Sequence, residues 1–224
     1  MNTHLTRVSR FGVVNAFLVR ESDGLTLIDT MVPRSAGVIR RAAARLDAPI
    51  VRILLTHAHG DHIGSLDQLA ASLPHAEVAI SRRDARLLAG DRTPEPGEPA
   101  GAKLRGSYPG ARTRPARLLE AGDRVGSLEV HAAPGHTPGQ VAFLDTRDGT
   151  LICGDAYSTL GGTATTAAVH PRFPLPGLAT WDRPTALRSA RELLSLAPRR
   201  LAVGHGQTVE DPVAGMKAAV ARAA

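Results

Sequence analysis

The residues best equipped for chemistry stand together at Thr56-His57-Ala58-His59-Gly60-Asp61-His62, where three imidazoles and a carboxylate occupy six consecutive positions. Imidazole nitrogen and carboxylate oxygen are ligands that Zn²⁺ and related divalent ions prefer, so this density implies a metal. In a helix His57 and His59 would point about 200° apart, whereas an extended segment or loop lets them face the same way. The stretch is therefore expected to be a loop. The preceding Ile50-Val51-Arg52-Ile53-Leu54-Leu55 reads as a short buried strand, and the carboxyl ends of such strands are where open α/β sheets place their chemistry.

Further candidate donors share that context. Asp155 and His205 follow the apolar runs 150–153 and 200–203, and His136 sits in the Gly/Pro-defined turn Pro134-Gly135-His136-Thr137-Pro138-Gly139 after run 128–133. Asp29 ends the run 24–28, either as a plain strand-end polar residue or as a partner that orients a metal-bound histidine. Of nine histidines, His4, His75, His131 and His170 lack such placement and read as surface or satisfied core residues.

The elements that must carry these residues alternate. Runs 11–19 and 24–28 form a hairpin about Glu21-Ser22-Asp23-Gly24, and apolar positions between 33 and 46 recur at helical spacing with arginines opposite. After the histidine loop, Ser65 and Gln68 resemble a capping box opening a helix that Pro74 closes, followed by a strand at 77–80 and a helix at 82–89. The order ββαβαβα indicates a layered α/β protein. Between 90 and 117 Gly and Pro dissolve the pattern, giving either a lid over the metal site or a solvated insertion. Lys103, Arg105, Arg112 and Arg114 lie there and would suit a negatively charged substrate. Strands resume at 118–119, 124–125, 128–133, 140–144 and 150–153. Helix 184–196, strand 200–203 and helix 212–223 follow.

At 224 residues the chain fits one domain, 1–224, with the insertion at about 90–117. Its apolar fraction is 43% but aromatics are 3%, so Leu, Val, Ile and Ala must build the core. A net charge of +6 comes almost wholly from arginine, since Lys103 and Lys217 are the only lysines. Without a basic run or interleaved aromatics, that charge argues against nucleic acid as a partner. Cys153 is the only cysteine, which excludes an intrachain disulfide. The start, residues 1–7, shows no leader pattern and no apolar run reaches bilayer length, so a cytoplasmic protein without membrane attachment is expected.

In order, His57-x-His59-x-Asp61-His62, His136, Asp155 and His205 resemble the ligand pattern of the metallo-β-lactamase superfamily, over nearly the whole chain. The resemblance implies a four-layer αββα sandwich with two divalent metal ions, Zn²⁺ first and Fe or Mn as other occupants. By similarity His57, His59 and His136 hold one ion, Asp61, His62 and His205 the other, and Asp155 bridges them. Asp29 matches the family's strand-end Asp, which favours its orienting role. Two ions about 3.5 Å apart lower the pKa of a bridging water from near 16 to about 7, giving a hydroxide nucleophile. The implied activity is hydrolysis of an ester, lactone or thioester of a small molecule. Asp61 is a candidate proton relay, and Tyr157 is either an oxyanion donor or a packed wall residue.

Within the superfamily the resemblance is to the glyoxalase II and lactonase-like branch. Authentic β-lactamases generally lack an Asp at the position of Asp155. Glyoxalase II thioesterases share the ligands but bind glutathione with additional C-terminal helices, and nineteen residues follow His205 here. Acyl-homoserine lactonases use a nearby tyrosine, which Tyr157 could imitate from one position earlier. A mononuclear iron enzyme resembling the persulfide dioxygenases is the alternative, and a nucleic-acid-binding or vestigial-site module the third. The oligomeric state is open, a homodimer included.

Overall fold

The computed structural model describes residues 4–224; Met1, Asn2 and Thr3, the start of the leaderless reading, lie outside the described residues. The chain divides into two compact units, one of Met1–Asp91 and Ser107–Leu119, the other of Arg92–Gly106 and Glu120–Ala224.

The first unit is built on a six-stranded sheet in sequence order: β1 (Leu5–Arg10), β2 (Val14–Glu21), β3 (Gly24–Ile28), β4 (Ile50–Leu54), β5 (Glu77–Ser81) and β6 (Arg117–Leu119). β1 to β3 pair antiparallel and β3 to β6 parallel. The expected hairpin is β2 and β3, with Phe17 opposite Ile28. The strand at 11–19 begins later than its composition suggested, because Phe11 lies in the left-handed turn before it (φ 56°). β1 was not anticipated; its mix of Thr, Arg and Ser on a half-buried edge strand gives no apolar run. β3 is buried throughout, as a strand flanked on both sides in a layered sheet must be.

The parallel strands are joined by α1 (Ala36–Arg45), α2 (Gly60–Ile63) with α3 (Leu66–Ser72), and α4 (Arg82–Leu88). α1 buries Ala36, Ile39 and Ala43 and turns Arg40, Arg41 and Arg45 outward. The capping box expected at Ser65 does not form. Its hydroxyl instead donates to Val32 O at 2.8 Å and accepts from Ser35 N at 2.8 Å, tying α3 to the segment before α1. Residues 90–116 contain neither helix nor strand, as their Gly and Pro content implied.

The second unit carries a six-stranded sheet in the order β14 (Val209–Glu210), β13 (Arg200–Ala202), β10 (Thr150–Ile152), β9 (Val141–Asp145), β8 (Leu128–Ala132) and β7 (Arg124–Val125). The strands β7 to β10 form an antiparallel meander, and β13 joins β10 in parallel. Their connection holds the two-stranded ladder of β11 (Tyr157–Ser158) and β12 (Ala164–Thr165), then α5 (Leu175–Leu178) and α6 (Arg183–Ser195). The helix α7 (Val213–Ala223) ends the chain. Ala190 and Leu193 of α6 and Met216 and Ala219 of α7 pack with Ala142, Leu151 and Leu201 of the sheet. Among the described residues no helix is long and apolar enough to cross a membrane.

This topology fixes where the donors emerge. Since β8 and β10 are each antiparallel to β9, and β13 is parallel to β10, all three run the same way. His136, Asp155 and His205, which follow their carboxyl ends, leave the sheet at one edge. The parallel pair β3 and β4 does the same for Asp29 and the histidine loop in the first unit.

Candidate metal centre

In the first unit His57, His59 and His62 are buried, while the Asp61 carboxylate is partly exposed. The loop-like course expected of the stretch holds through His59, which is extended (φ −72°, ψ 149°), before Gly60 opens the single turn of α2. The rings of His57 and His59 lie 4.9 Å apart and those of His57 and His62 4.0 Å. The ligand atoms of His57 and His59, of His57 and His62, and of Asp61 and His62 each fall within 4.8 Å.

Asp29 fixes how two of these rings are held. Its backbone is left-handed (φ 60°), a conformation that Asp tolerates better than most side chains, and its carboxylate is buried. Oδ2 accepts from His62 Nδ1 at 2.7 Å and from Thr56 Oγ1 at 2.8 Å, while Oδ1 accepts from Thr56 N at 2.8 Å. The Thr56 hydroxyl has given its one proton to Asp29, so at 2.9 Å it accepts from His57 Nδ1. Both imidazoles in their neutral form thus carry the proton on Nδ1 and the lone pair on Nε2.

Two further residues shape this loop and were not singled out by the sequence. Asp84, buried in the first turn of α4, accepts from Ala58 N at 2.8 Å, pinning the peptide between His57 and His59. Its own N–H is capped by Ser81 Oγ at 3.2 Å. Tyr108 lays its buried ring 4.5 Å from that of His59. Gly60 N donates to Ser107 O at 2.9 Å beside it. The available signals were a Ser-x-x-Asp pair, Ser81 and Asp84, at the passage from an apolar strand to a helix, and one of two tyrosines in a loop rich in Gly and Pro.

In the second unit Asp155 Oδ2 lies 3.4 Å from His136 Nε2 and 3.1 Å from His205 Nε2, all three residues buried. Thr180 decides the tautomer of His136. Its one hydroxyl proton is taken up by the carbonyls of Thr166 and Pro176, which lie at 2.9 and 2.8 Å, so at 3.2 Å the oxygen accepts from His136 Nδ1. The neutral His136 therefore turns its Nε2 lone pair toward a carboxylate oxygen, an arrangement that repels unless a cation lies between them. Two ligands bound about 2.1 Å from one ion at tetrahedral to right angles stand about 3.0–3.4 Å apart, the separations seen here. The donor set fits a divalent metal.

The turn that holds His136 is stapled to the start of α6 by Trp181 N to His136 O (3.0 Å), Asp182 N to Gly135 O (2.9 Å) and Ser189 Oγ to Pro134 O (2.6 Å). His205 is held by its carbonyl, which accepts from Thr159 N at 3.0 Å and Ser158 Oγ at 3.1 Å. The expectation of Tyr157 as an oxyanion donor is corrected. The ring is fully buried in the core beneath α6 and α7, and its hydroxyl donates to Ala190 O at 2.6 Å. Burial also pushes its acidity down, raising the phenol pKa, as it raises that of the neighbouring Cys153 thiol to about 12. The packed reading of Tyr157 is the one the fold realises.

A family model described as the metallo-beta-lactamase superfamily matches residues 9–205. Among curated relatives, the uncharacterized protein YobT of Bacillus subtilis (strain 168) is 46% identical over 211 residues, covering 94% of this chain and 90% of its own. A hydroxyacylglutathione hydrolase of Aeromonas hydrophila is 30% identical over 149 residues, 65% of this chain and 47% of that relative. The crystal structure of TTHA1623 in a di-iron-bound form matches with a TM-score of 0.67 and 27% identity, over 92% of this chain and 94% of that one. The mixed sheets flanked by helices and this likeness agree on the αββα metallo-β-lactamase fold. The chain belongs to the metallo-beta-lactamase superfamily, as one of its metal-dependent hydrolases.

Proposed function

We propose that the chain is a dinuclear zinc hydrolase that cleaves an ester, lactone or thioester of a small molecule. The observation that carries this reading is Asp155, whose single oxygen Oδ2 stands at ligand-to-ligand distance from two histidines, as a carboxylate shared by two ions would. His57, His59 and His136 are assigned to one ion, and Asp61, His62 and His205 to the other. When bound, the pair supplies an activated water and polarises the scissile carbonyl. The hydroxyacylglutathione hydrolase relative, a thioester hydrolase by its name, supports the acyl substrate class.

The chain's own residues prepare the site. Asp29, Thr56 and Thr180 hold protons on Nδ1 of three histidines so that each offers Nε2. Asp61, whose carboxylate is 37% exposed, is assigned the relay of a proton to the departing group, a role its access to solvent supports. A reducing compartment, the cytoplasm, suits a chain whose one thiol is buried and bonded to no second sulfur.

The test is metal analysis joined to a substrate screen. Purified protein should carry two zinc ions per chain and hydrolyse members of a panel of lactones, thioesters and aryl esters. A chelator should abolish that turnover and zinc restore it, with a chromogenic cephalosporin left intact. One iron per chain with oxygen-dependent turnover would instead establish the dioxygenase alternative, and the di-iron-bound neighbour makes iron the necessary comparison in the metal analysis.

A further inference from the structure

Lys103, Arg105, Arg112 and Arg114 of the 90–117 loop are put to two different uses. Arg112 stands 3.6 Å from Asp67, and Arg114 donates to the carbonyls of Ala111 and Arg112, so both serve the loop itself. Lys103 and Arg105 instead line a cavity of about 400 Å³ within the second unit, with Arg183, Leu178 and Trp181. The side chains of Lys103 and Arg183 have no hydrogen-bond or ion-pair partner among the described residues. The one carboxylate of the wall, Asp182, is committed to capping α6, accepting from Thr185 N at 3.0 Å. Two cations without a partner among the described residues, Lys103 and Arg183, therefore line this space with Arg105, which has a partner of its own, and one engaged anion, at the positive end of a 13-residue helix.

The apolar side of the cavity is equally specific. Trp181 is buried, while Leu178 is 53% exposed. Thr180, the residue that orients His136, is part of the same wall. A group bound here would thus lie one residue from a metal ligand's anchor. A volume of this size takes a small organic group rather than a lone ion.

We propose that this cavity recognises the anionic end of the substrate, a carboxylate or phosphate carried on a short apolar chain, which rests on the hydrolase reading above. Lys103 and Arg183 bind the charge, and Trp181 with Leu178 contacts the chain. The scissile bond is left to extend toward His136.

Trp181, the only tryptophan, reports on binding directly. Zinc-loaded protein is titrated with hexanoate, hexyl phosphate and neutral hexanol while indole emission is recorded. One or both anions should change the emission saturably, their ranking separating carboxylate from phosphate, and hexanol should not. In Lys103→Gln and Arg183→Gln the midpoint should rise about tenfold. Equal responses to hexanol, or an unchanged midpoint in both variants as for an anion held on the metals, overturn the proposal. In a second arm, KM is compared for the monophenyl ester of adipic acid and for phenyl hexanoate. The variants should raise KM for the anionic ester alone. Saturable anion binding without turnover of any ester would sink the hydrolase reading and leave the cavity assignment standing. Turnover of both esters with identical KM in all proteins would do the reverse.

Discussion

Asp29 shows how much one side chain can govern at a distance from any substrate. Three donors converge on its two oxygens, and through Thr56 it sets a second histidine that it does not touch. In Asp29→Asn one oxygen becomes an NH₂ group, so either Thr56 or His62 meets a donor where it had an acceptor. His62 can then move its proton to Nε2, the atom assigned to the metal. Zinc affinity measured by chelator competition should fall about 10- to 100-fold with the fold retained; an unchanged affinity would mean that Asp29 does not set the tautomers. Tyr157→Phe separates packing from chemistry. Removing the hydroxyl leaves the buried Ala190 carbonyl without that donor, which should cost about 1–2 kcal/mol in urea unfolding, while kcat stays at the wild-type value. A large fall in kcat at equal folded fraction would return Tyr157 to the reaction. The grouping of His57, His59, Asp61 and His62 was legible because four metal-ligand side chains within six positions have few other uses. Asp84 and Thr180 were not, since each acts on a residue 26 or 44 positions away and neither type is distinctive in itself.

The elements position these residues through their ends. Two glycines beside ligands show how little latitude the turns have. At Gly135 (φ 133°) an added Cβ would lie 2.2 Å from Ala186 N in the first turn of α6, and at Gly206 (φ 116°) 2.3 Å from Thr159 Oγ1 and 2.5 Å from Leu160 N. Both combine a left-handed backbone with backbone atoms that cannot step aside. Gly135→Ala should therefore destabilise by about 2–4 kcal/mol and reduce bound metal, read by thermal melts and metal analysis on the same samples. Full metal content with an unshifted melt would show that the turn has room to move. On α3, Asp67 accepts from Arg112 N, Thr113 N and Thr113 Oγ1 at 3.1, 2.7 and 2.6 Å, anchoring the segment that brings Tyr108 to His59. Burial alone would raise the Asp67 pKa, but the Thr113 hydroxyl and the two N–H groups outweigh it and hold the carboxyl below its ordinary 3.8. A depressed folded pKa gives stability present above 3.8 and lost as pH falls through the lower folded value. Hydrogen-exchange protection of residues 107–116 should thus drop below about pH 4 in the wild type, and Asp67→Asn should show that loss already at neutral pH. Most strand and helix identities were readable from periodicity, whereas β1, β14 and the β11 and β12 ladder were not, because short half-polar strands are specified by their neighbours.

For the molecule as a whole, the proposed assignment takes its ligands from the stretch His57 to His62 and from the turns after β8, β10 and β13. Metal binding and folding are then one equilibrium, since ions that bind only the native chain stabilise it by mass action. At free zinc about 1,000 times its Kd one site contributes roughly 4 kcal/mol. A chain of this length gains about 2–4 °C per kcal/mol, so losing one zinc should lower Tm by roughly 8–16 °C and stripping both by about twice that. The same loss should appear without chelator as pH falls through the histidine range, because protonated imidazole cannot be a ligand. Asp155→Asn tests the shared carboxylate at this scale. If Asp155 serves two ions, the variant should lose most of the zinc-dependent rise in Tm; if it serves one, about half of that rise should survive, with one zinc per chain still bound.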